Sequence, residues 1–163
     1  MGNEVEVRRA LPDDAESLTR IAFASKRYWG YPERWISLWS STLTITPEFV
    51  RDHEVYAAFS GGEPVSFYAL TGEGHELELD HLWVSPDWIG SGMGRLLFEH
   101  AMKVAASRGA SIVEIEADPN AEGFYLRMGA RLVGENVYDM EGERRTLPLL
   151  QVELSGKEPG TES

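Results

Sequence analysis

The chain contains no cysteine. That absence excludes a disulfide scaffold, thiolate metal sites and a cysteine nucleophile. Its four histidines are scattered and show no zinc-ligand spacing. No apolar run approaches the roughly 18 residues of a membrane-spanning helix. The opening Met-Gly-Asn-Glu-Val-Glu lacks the basic segment and apolar core of a secretory signal. A cytoplasmic location without a membrane partner is therefore expected. Positive charge is scarce: 15 Lys and Arg stand against 27 Asp and Glu, a formal net charge of −12. Such a surface repels nucleic acid, so no nucleic-acid partner is expected, and a neutral or cationic substrate is favoured.

What is present suits one domain with a full core: 163 residues, 42% of them apolar, with no internal repeat. Residues 1–154 are expected to form that domain. Residues 155–163, made of Gly, Pro, Ser, Thr and charge, read as a flexible tail.

The organising stretch runs Val84-Ser85-Pro86-Asp87-Trp88-Ile89-Gly90-Ser91-Gly92-Met93-Gly94-Arg95. It begins as a strand end, turns through glycines and becomes a helix. Apolar Met93, Leu96, Leu97, Ala101 and Val104 form the expected helical stripe, and Gly109 is placed to end it. A helix start presents unpaired N–H groups and the positive end of the macrodipole. Glycines there remove side chains that would keep a phosphate away, so the turn reads as a pyrophosphate site. It is not a P-loop, because no Gly-Lys-Ser/Thr follows. It is not the dinucleotide fingerprint either, because Arg95 stands where the third glycine belongs.

The rest of the chain reads as alternating elements. Val5 and Val7 mark a strand, and Pro12 opens a helix with Ala15, Leu18, Ile21 and Ala22 inward. Tyr28, Trp29, Tyr31, Trp35 and Trp39 follow within twelve residues. Trp35 and Trp39 read as packing, whereas Tyr28, Trp29 and Tyr31 are candidates for a substrate wall. Pro32 can open a short helix, and Thr46 can cap another at Pro47. Val55, Ala57 and Phe59, a Gly61-Gly62 turn, then Val65, Phe67 and Ala69 make a hairpin. In the strand from His75 to Val84 the apolar phase shifts between Leu79 and Leu82, which predicts a β-bulge near Asp80 and His81. Ile112, Val113, Ile115 and Ala117 make a strand joined to it by a right-handed parallel crossover. A short helix ending at Gly129 and two strands, Leu132-Val133 and 146–154, complete the chain; Pro148 suits an edge or an irregularity.

Two segments together resemble the GNAT superfamily of acyl-CoA-dependent N-acyltransferases. Its first motif, Arg/Gln-x-x-Gly-x-Gly/Ala after an apolar strand end, is similar to Leu82-Trp83-Val84 followed by Gly92-Met93-Gly94, with Ile89 in place of the Arg or Gln. Its second, Asn-x-x-Ala-x-x-x-Tyr-x-x-x-Gly-Phe, is similar to the stretch from Asp118, where Ala121, Tyr125 and Gly129 match in register. Asp118 replaces the Asn, Ala130 replaces the Phe, and Asn120 lies two residues out of register.

The resemblance implies a mixed α/β fold. Its sheet has about seven mostly antiparallel strands, a parallel crossover and a bulge that opens a slot for the pantetheine arm. It implies acetyl-CoA or a longer acyl-CoA as co-substrate, and a small-molecule or peptide amine as acceptor. The cofactor residues it implies are Leu82, Trp83, Val84, Ile89, Gly90, Ser91, Gly92, Met93, Gly94, Arg95, Asn120 and Tyr125. Glu78, six residues before Val84, takes the position of the general base in several members, with Asp80 and His81 as nearby alternatives. Backbone N–H groups of residues 82–84 would polarise the thioester, and Tyr125 would protonate the leaving thiolate. Without a cysteine, direct attack in a ternary complex is expected. A GNAT-fold acyl-CoA-binding protein with little catalysis remains the alternative, resting on Ile89 and Asp118. A homodimer is compatible with either reading.

Overall fold

The computed structural model describes residues 4–154; the expected tail at 155–163 lies outside them. Among the described residues seven strands, β1 (Glu6–Arg9), β2 (Glu54–Ser60), β3 (Glu63–Thr71), β4 (Glu76–Val84), β5 (Ile112–Glu116), β6 (Arg131–Met140) and β7 (Glu143–Glu153), form one sheet in the order β1-β2-β3-β4-β5-β7-β6, as expected for the fold class. The chain divides into two compact units.

The first unit takes the described residues as far as Ala69 together with His81–Glu99. Strand β1 (Glu6–Arg9) pairs antiparallel with β2 (Glu54–Ser60), Val7 opposite Ala58. Four helices run between them: α1 (Ala15–Tyr28), α2 (Glu33–Leu38), α3 (Ser40–Leu43) and α4 (Pro47–Asp52). A 3-10 turn at Pro12–Asp14 opens α1, and the Asp14 carboxylate accepts the Leu11 N–H at 2.8 Å. The expected face of Ala15, Leu18, Ile21 and Ala22 is buried. Thr46 caps α4 by accepting the Phe49 N–H at 3.0 Å. Helix α3 is not legible in the sequence, because Ser-Ser-Thr carries weak helix propensity and tertiary burial of Leu43 supplies what propensity does not. Gly61 and Gly62, both with positive φ, turn β2 into β3 (Glu63–Thr71), a hairpin geometry that fits the strand twist. Leu18, Val55 and Phe67 are fully buried here. Burial of such side chains contributes about 1.5–3 kcal/mol each.

The second unit takes Leu70–Asp80 and the described residues from His100. The start of β4 (Glu76–Val84) runs parallel to β5 (Ile112–Glu116), from Glu76 opposite Ile112 to Glu78 opposite Glu114. Strand β7 (Glu143–Glu153) pairs antiparallel with β5 on one side and with β6 (Arg131–Met140) on the other. Both β6 and β7 are longer than expected, because the polar Gly134, Glu135 and Asn136 hide a strand that the β7 ladder holds together. Their turn is Glu141 and Gly142, both at positive φ. Pro148 lies in an inner strand but just past the last β5–β7 pair, Glu116 opposite Leu149. Its missing N–H is tolerated there, and its carbonyl accepts the Ala117 N–H at 3.0 Å. The helix α6 (Glu122–Arg127) follows a 3-10 turn at Pro119–Ala121.

One expectation is corrected. The buried line of α5 (Met93–Ser107) is Met93, Leu97, Ala101 and Ala105, with Phe98 beside it, and Leu96 is 43% exposed. The i, i+4 row turns the helix so that Leu96 faces out. Around Asp80 and His81, where the bulge is expected, burial in β4 follows the odd positions. Leu77, Leu79 and His81 are all buried, and Trp83, next in phase, packs against the first unit's core. His81 thus continues the inward row of Leu77 and Leu79. The β4–β5 ladder ends at Glu78 opposite Glu114.

Candidate active site

The glycine turn belongs to the first unit. A 3-10 turn at Pro86–Trp88 follows β4. Gly90 and Gly92 then adopt φ of +85° and +90°, a left-handed backbone that other residues enter at a cost of about 1–2 kcal/mol. The Ser91 hydroxyl donates to Trp88 O. The Leu96 N–H closes onto Gly92 O at 3.0 Å, so the N–H groups of Met93, Gly94 and Arg95 are directed out of the helix end. An open cavity of about 530 Å³ is lined by Val5, Asp87, Trp88, Ser91, Gly92, Met93 and Leu96. The exposed Arg95 guanidinium lies 3.1 Å from Glu99. Ile89, at the Arg/Gln position of the motif, is 36% exposed.

Residues 82–84 are half-buried. Trp83 O accepts the Ser66 hydroxyl at 2.8 Å, and the Ser85 N–H donates to Val65 O at 2.9 Å. His81 Nδ1 accepts the Trp83 indole N–H at 2.9 Å, and its ring packs between Phe49 and Phe67. That placement makes His81 part of the core packing. Upstream, buried Lys26 puts its ammonium 4.2 Å from the Trp39 ring centroid, 4.9 Å from Tyr31 and 5.7 Å from Trp83. Half-buried Tyr31 contacts the Trp35 and Trp39 rings. Tyr28 and Trp29 stay exposed, in edge-on contact at 5.0 Å.

The second unit carries the proposed proton-transfer groups. Glu78 lies on the outward face of β4 with Glu76 and Asp80. Partial burial, then the neighbouring Asp80, Glu116 and Glu114 carboxylates, push the Glu78 carboxyl above the usual carboxylate range. Glu116 accepts both the Tyr138 hydroxyl and the Asn136 amide, the latter at 2.6 Å. Gln151 donates to Glu114 at 3.2 Å. Tyr125, on α6, is buried, and burial followed by the Asp118 charge raises its hydroxyl above the ordinary tyrosine value.

Asp118 has a structural partner set. Its Oδ1 accepts the Asn120 N–H at 2.8 Å and the Asn120 side-chain amide at 3.0 Å, capping the turn before α6. Its Oδ2 lies 3.5 Å from the Arg145 guanidinium, with both side chains nearly buried. The sequence reading misses Arg145 and Glu116. Both belong to strands, and only strand pairing brings Arg145 to Asp118 and Tyr138 to Glu116.

Residues 16–130 match the Acetyltransferase (GNAT) family, which identifies the class that this sheet and glycine turn define. The chain belongs to that family and is an N-acetyltransferase with acetyl-CoA as co-substrate. It is 28% identical over 158 residues to a peptidyl-lysine N-acetyltransferase, YjaB, of Salmonella typhimurium, covering 91% of this chain and 97% of the relative. A GCN5-related N-acetyltransferase of Rhodopseudomonas palustris superposes with a TM-score of 0.77 at 25% identity, over 94% of this chain and 98% of that one. The PaiA N-acetyltransferase of Thermoplasma acidophilum, solved with coenzyme A, shares the fold with a TM-score of 0.73 at 19% identity, over 92% and 99% of the two chains. Among the described residues no helix is long and apolar enough to cross a membrane.

Proposed function

We propose that the chain transfers the acetyl group of acetyl-CoA to the side-chain amine of a peptidyl lysine. Glu78 carries this reading. A carboxyl held above its usual range, among other carboxylates, suits a base that meets a cationic amine. The acceptor class is supported by the Salmonella relative, a peptidyl-lysine N-acetyltransferase that this chain matches over 97% of its length. Small-molecule amines are the competing acceptors.

In the proposed mechanism, residues 89–95 hold the pyrophosphate through backbone N–H groups and the positive helix end. Backbone N–H groups of Leu82, Trp83 and Val84 bind the thioester carbonyl and the oxyanion that follows. Glu78 removes a proton from the lysine ammonium, with Asp80 as the alternative through water. The free amine attacks the thioester carbon, the C–S bond breaks, Tyr125 gives its proton to the departing thiolate, and the second proton shed by the amine nitrogen as it becomes the amide returns to the tyrosinate. We assign Asn120 to the cap on Asp118, since its amide is turned onto that carboxylate. The acetyltransferase domain is taken as residues 1–154, acting in the cytoplasm, as a monomer or a homodimer.

The test is thiol release from acetyl-CoA with a lysine peptide, beside the same peptide with its lysine blocked. Mass spectrometry should find the acetyl group on the lysine ε-amine. Initial-rate plots should intersect, as in a ternary complex. Parallel plots, or equal turnover of the blocked peptide, would overturn this reading.

A further inference from the structure

Arg145 lies on β7, yet its guanidinium meets Asp118, 27 positions earlier, with side-chain exposures of only 10% and 13%. The pair sits beside a second tie between the same segments, Ala117 N–H to Pro148 O at 3.0 Å. Asp118 in turn fixes the next turn through Asn120 and through its own carbonyl, which accepts the Ala121 N–H at 2.8 Å. That turn leads directly into α6, where Tyr125 is buried. The far end of α6 is closed by Tyr125 O, which accepts the Ala130 N–H at 3.0 Å.

We propose that Arg145 is a positioning residue for acetyl transfer, acting through Asp118 to fix the turn that delivers Tyr125 and to balance the carboxylate beside it. The proposal rests on the reading of Tyr125 as the proton donor. An Asn at position 118 would cap the turn without adding charge. Asp118 also caps it, but it places a negative group near a tyrosine that must give up a proton and become an anion. That charge disfavours the tyrosinate and so weakens the donor. A guanidinium on the second carboxylate oxygen offsets the charge and fixes the carboxylate in its capping orientation. Removing one partner of a nearly buried pair leaves the other charge poorly compensated. The effect should therefore fall on turnover and spare cofactor affinity.

The experiment is a mutant cycle assayed by thiol release, with acetyl-CoA and a lysine peptide. Arg145→Met should lower kcat about tenfold, within the coupling range of groups in one ion-pair network. The KM for acetyl-CoA should stay nearly constant. Adding Asp118→Asn, which keeps the cap and removes the charge, should restore most of the lost kcat. Arg145→Lys should fall between Arg145→Met and the parent chain, and it serves as the test if Arg145→Met does not fold. In a Tyr125→Phe background, Arg145→Met should have no further effect on kcat. An unchanged kcat in Arg145→Met, or failure of Asp118→Asn to restore it, overturns the proposal. A full loss in both backgrounds overturns the link to Tyr125. An unchanged kcat for Tyr125→Phe alone overturns the donor reading itself.

Discussion

The turn before α5 and the turn before α6 each lead the chain into a helix, and they are built in opposite ways. The first is open. Left-handed Gly90 and Gly92 carry it, and the N–H groups of Met93, Gly94 and Arg95 are directed outward. The second is closed. Asp118 accepts the Asn120 N–H, Arg145 meets the carboxylate, and Tyr125 is buried behind them. A helix start must satisfy its orphan donors with a side chain, with water or with a ligand. The α6 turn satisfies a donor from within the protein, and the α5 turn is the one to which we assign the pyrophosphate. On that proposal one end serves binding and the other holds a single side chain in place.

Gly92→Val challenges that contrast most severely. A Cβ at Gly92 meets no atom within 4 Å, so the open space allows the side chain, but φ of +90° does not suit a branched residue. The helix start should shift and its donors disperse. Acetyl-CoA, which should otherwise raise the melting temperature through about 2.7 kcal/mol at one hundred times Kd, should then give no shift. ATP and NAD should give none with either protein. A normal acetyl-CoA shift in Gly92→Val would show that the pyrophosphate does not use this turn.

Next in size is Glu78→Gln, expected to lower kcat about a hundredfold while leaving acetyl-CoA binding intact. The sign of its stability effect follows from the raised carboxyl. A carboxyl whose folded value lies above its unfolded value opposes folding once it is ionised. The native state gains from this group as pH falls through the raised value toward 4.5, and it bears the cost at neutral pH. Glu78→Gln should therefore keep or raise the melting temperature at pH 7. The parent's activity should decline on the acid side at a pH above 4.5. If Asp80→Asn carries the larger loss instead, the base is Asp80.

Tyr125→Phe keeps the ring and removes the proton donor. It should lower kcat by up to about a hundredfold, with the melting temperature nearly unchanged. A large drop in stability would make the hydroxyl a core group. The smallest effect is expected for Ile89→Arg, which adds a guanidinium to the open turn. It should tighten acetyl-CoA by about 0.3–1 kcal/mol, the range for one charge at an exposed helix end. Calorimetry would read this directly, and an unchanged Kd would argue against Ile89 as a phosphate neighbour.

Most of the elements, and the class of the chain, can be read from residues that are close together along it. Local rules are enough for the α1 face, the Thr46 cap, the Gly61-Gly62 hairpin and the Gly109 helix end, since each depends on residues a few positions apart. The two family motifs are legible for the same reason. Long-range packing decides the rest. It buries His81 on the inward row of β4. It turns Leu96 outward and stretches β6 and β7 beyond their apolar cores. It also brings Arg145 to Asp118 and Tyr138 to Glu116. A charged residue in an alternating strand looks the same whether it meets water or a partner, and only the register of the neighbouring strand settles which. Register is fixed by the sum of core contacts over whole strands, so no short window of sequence contains it.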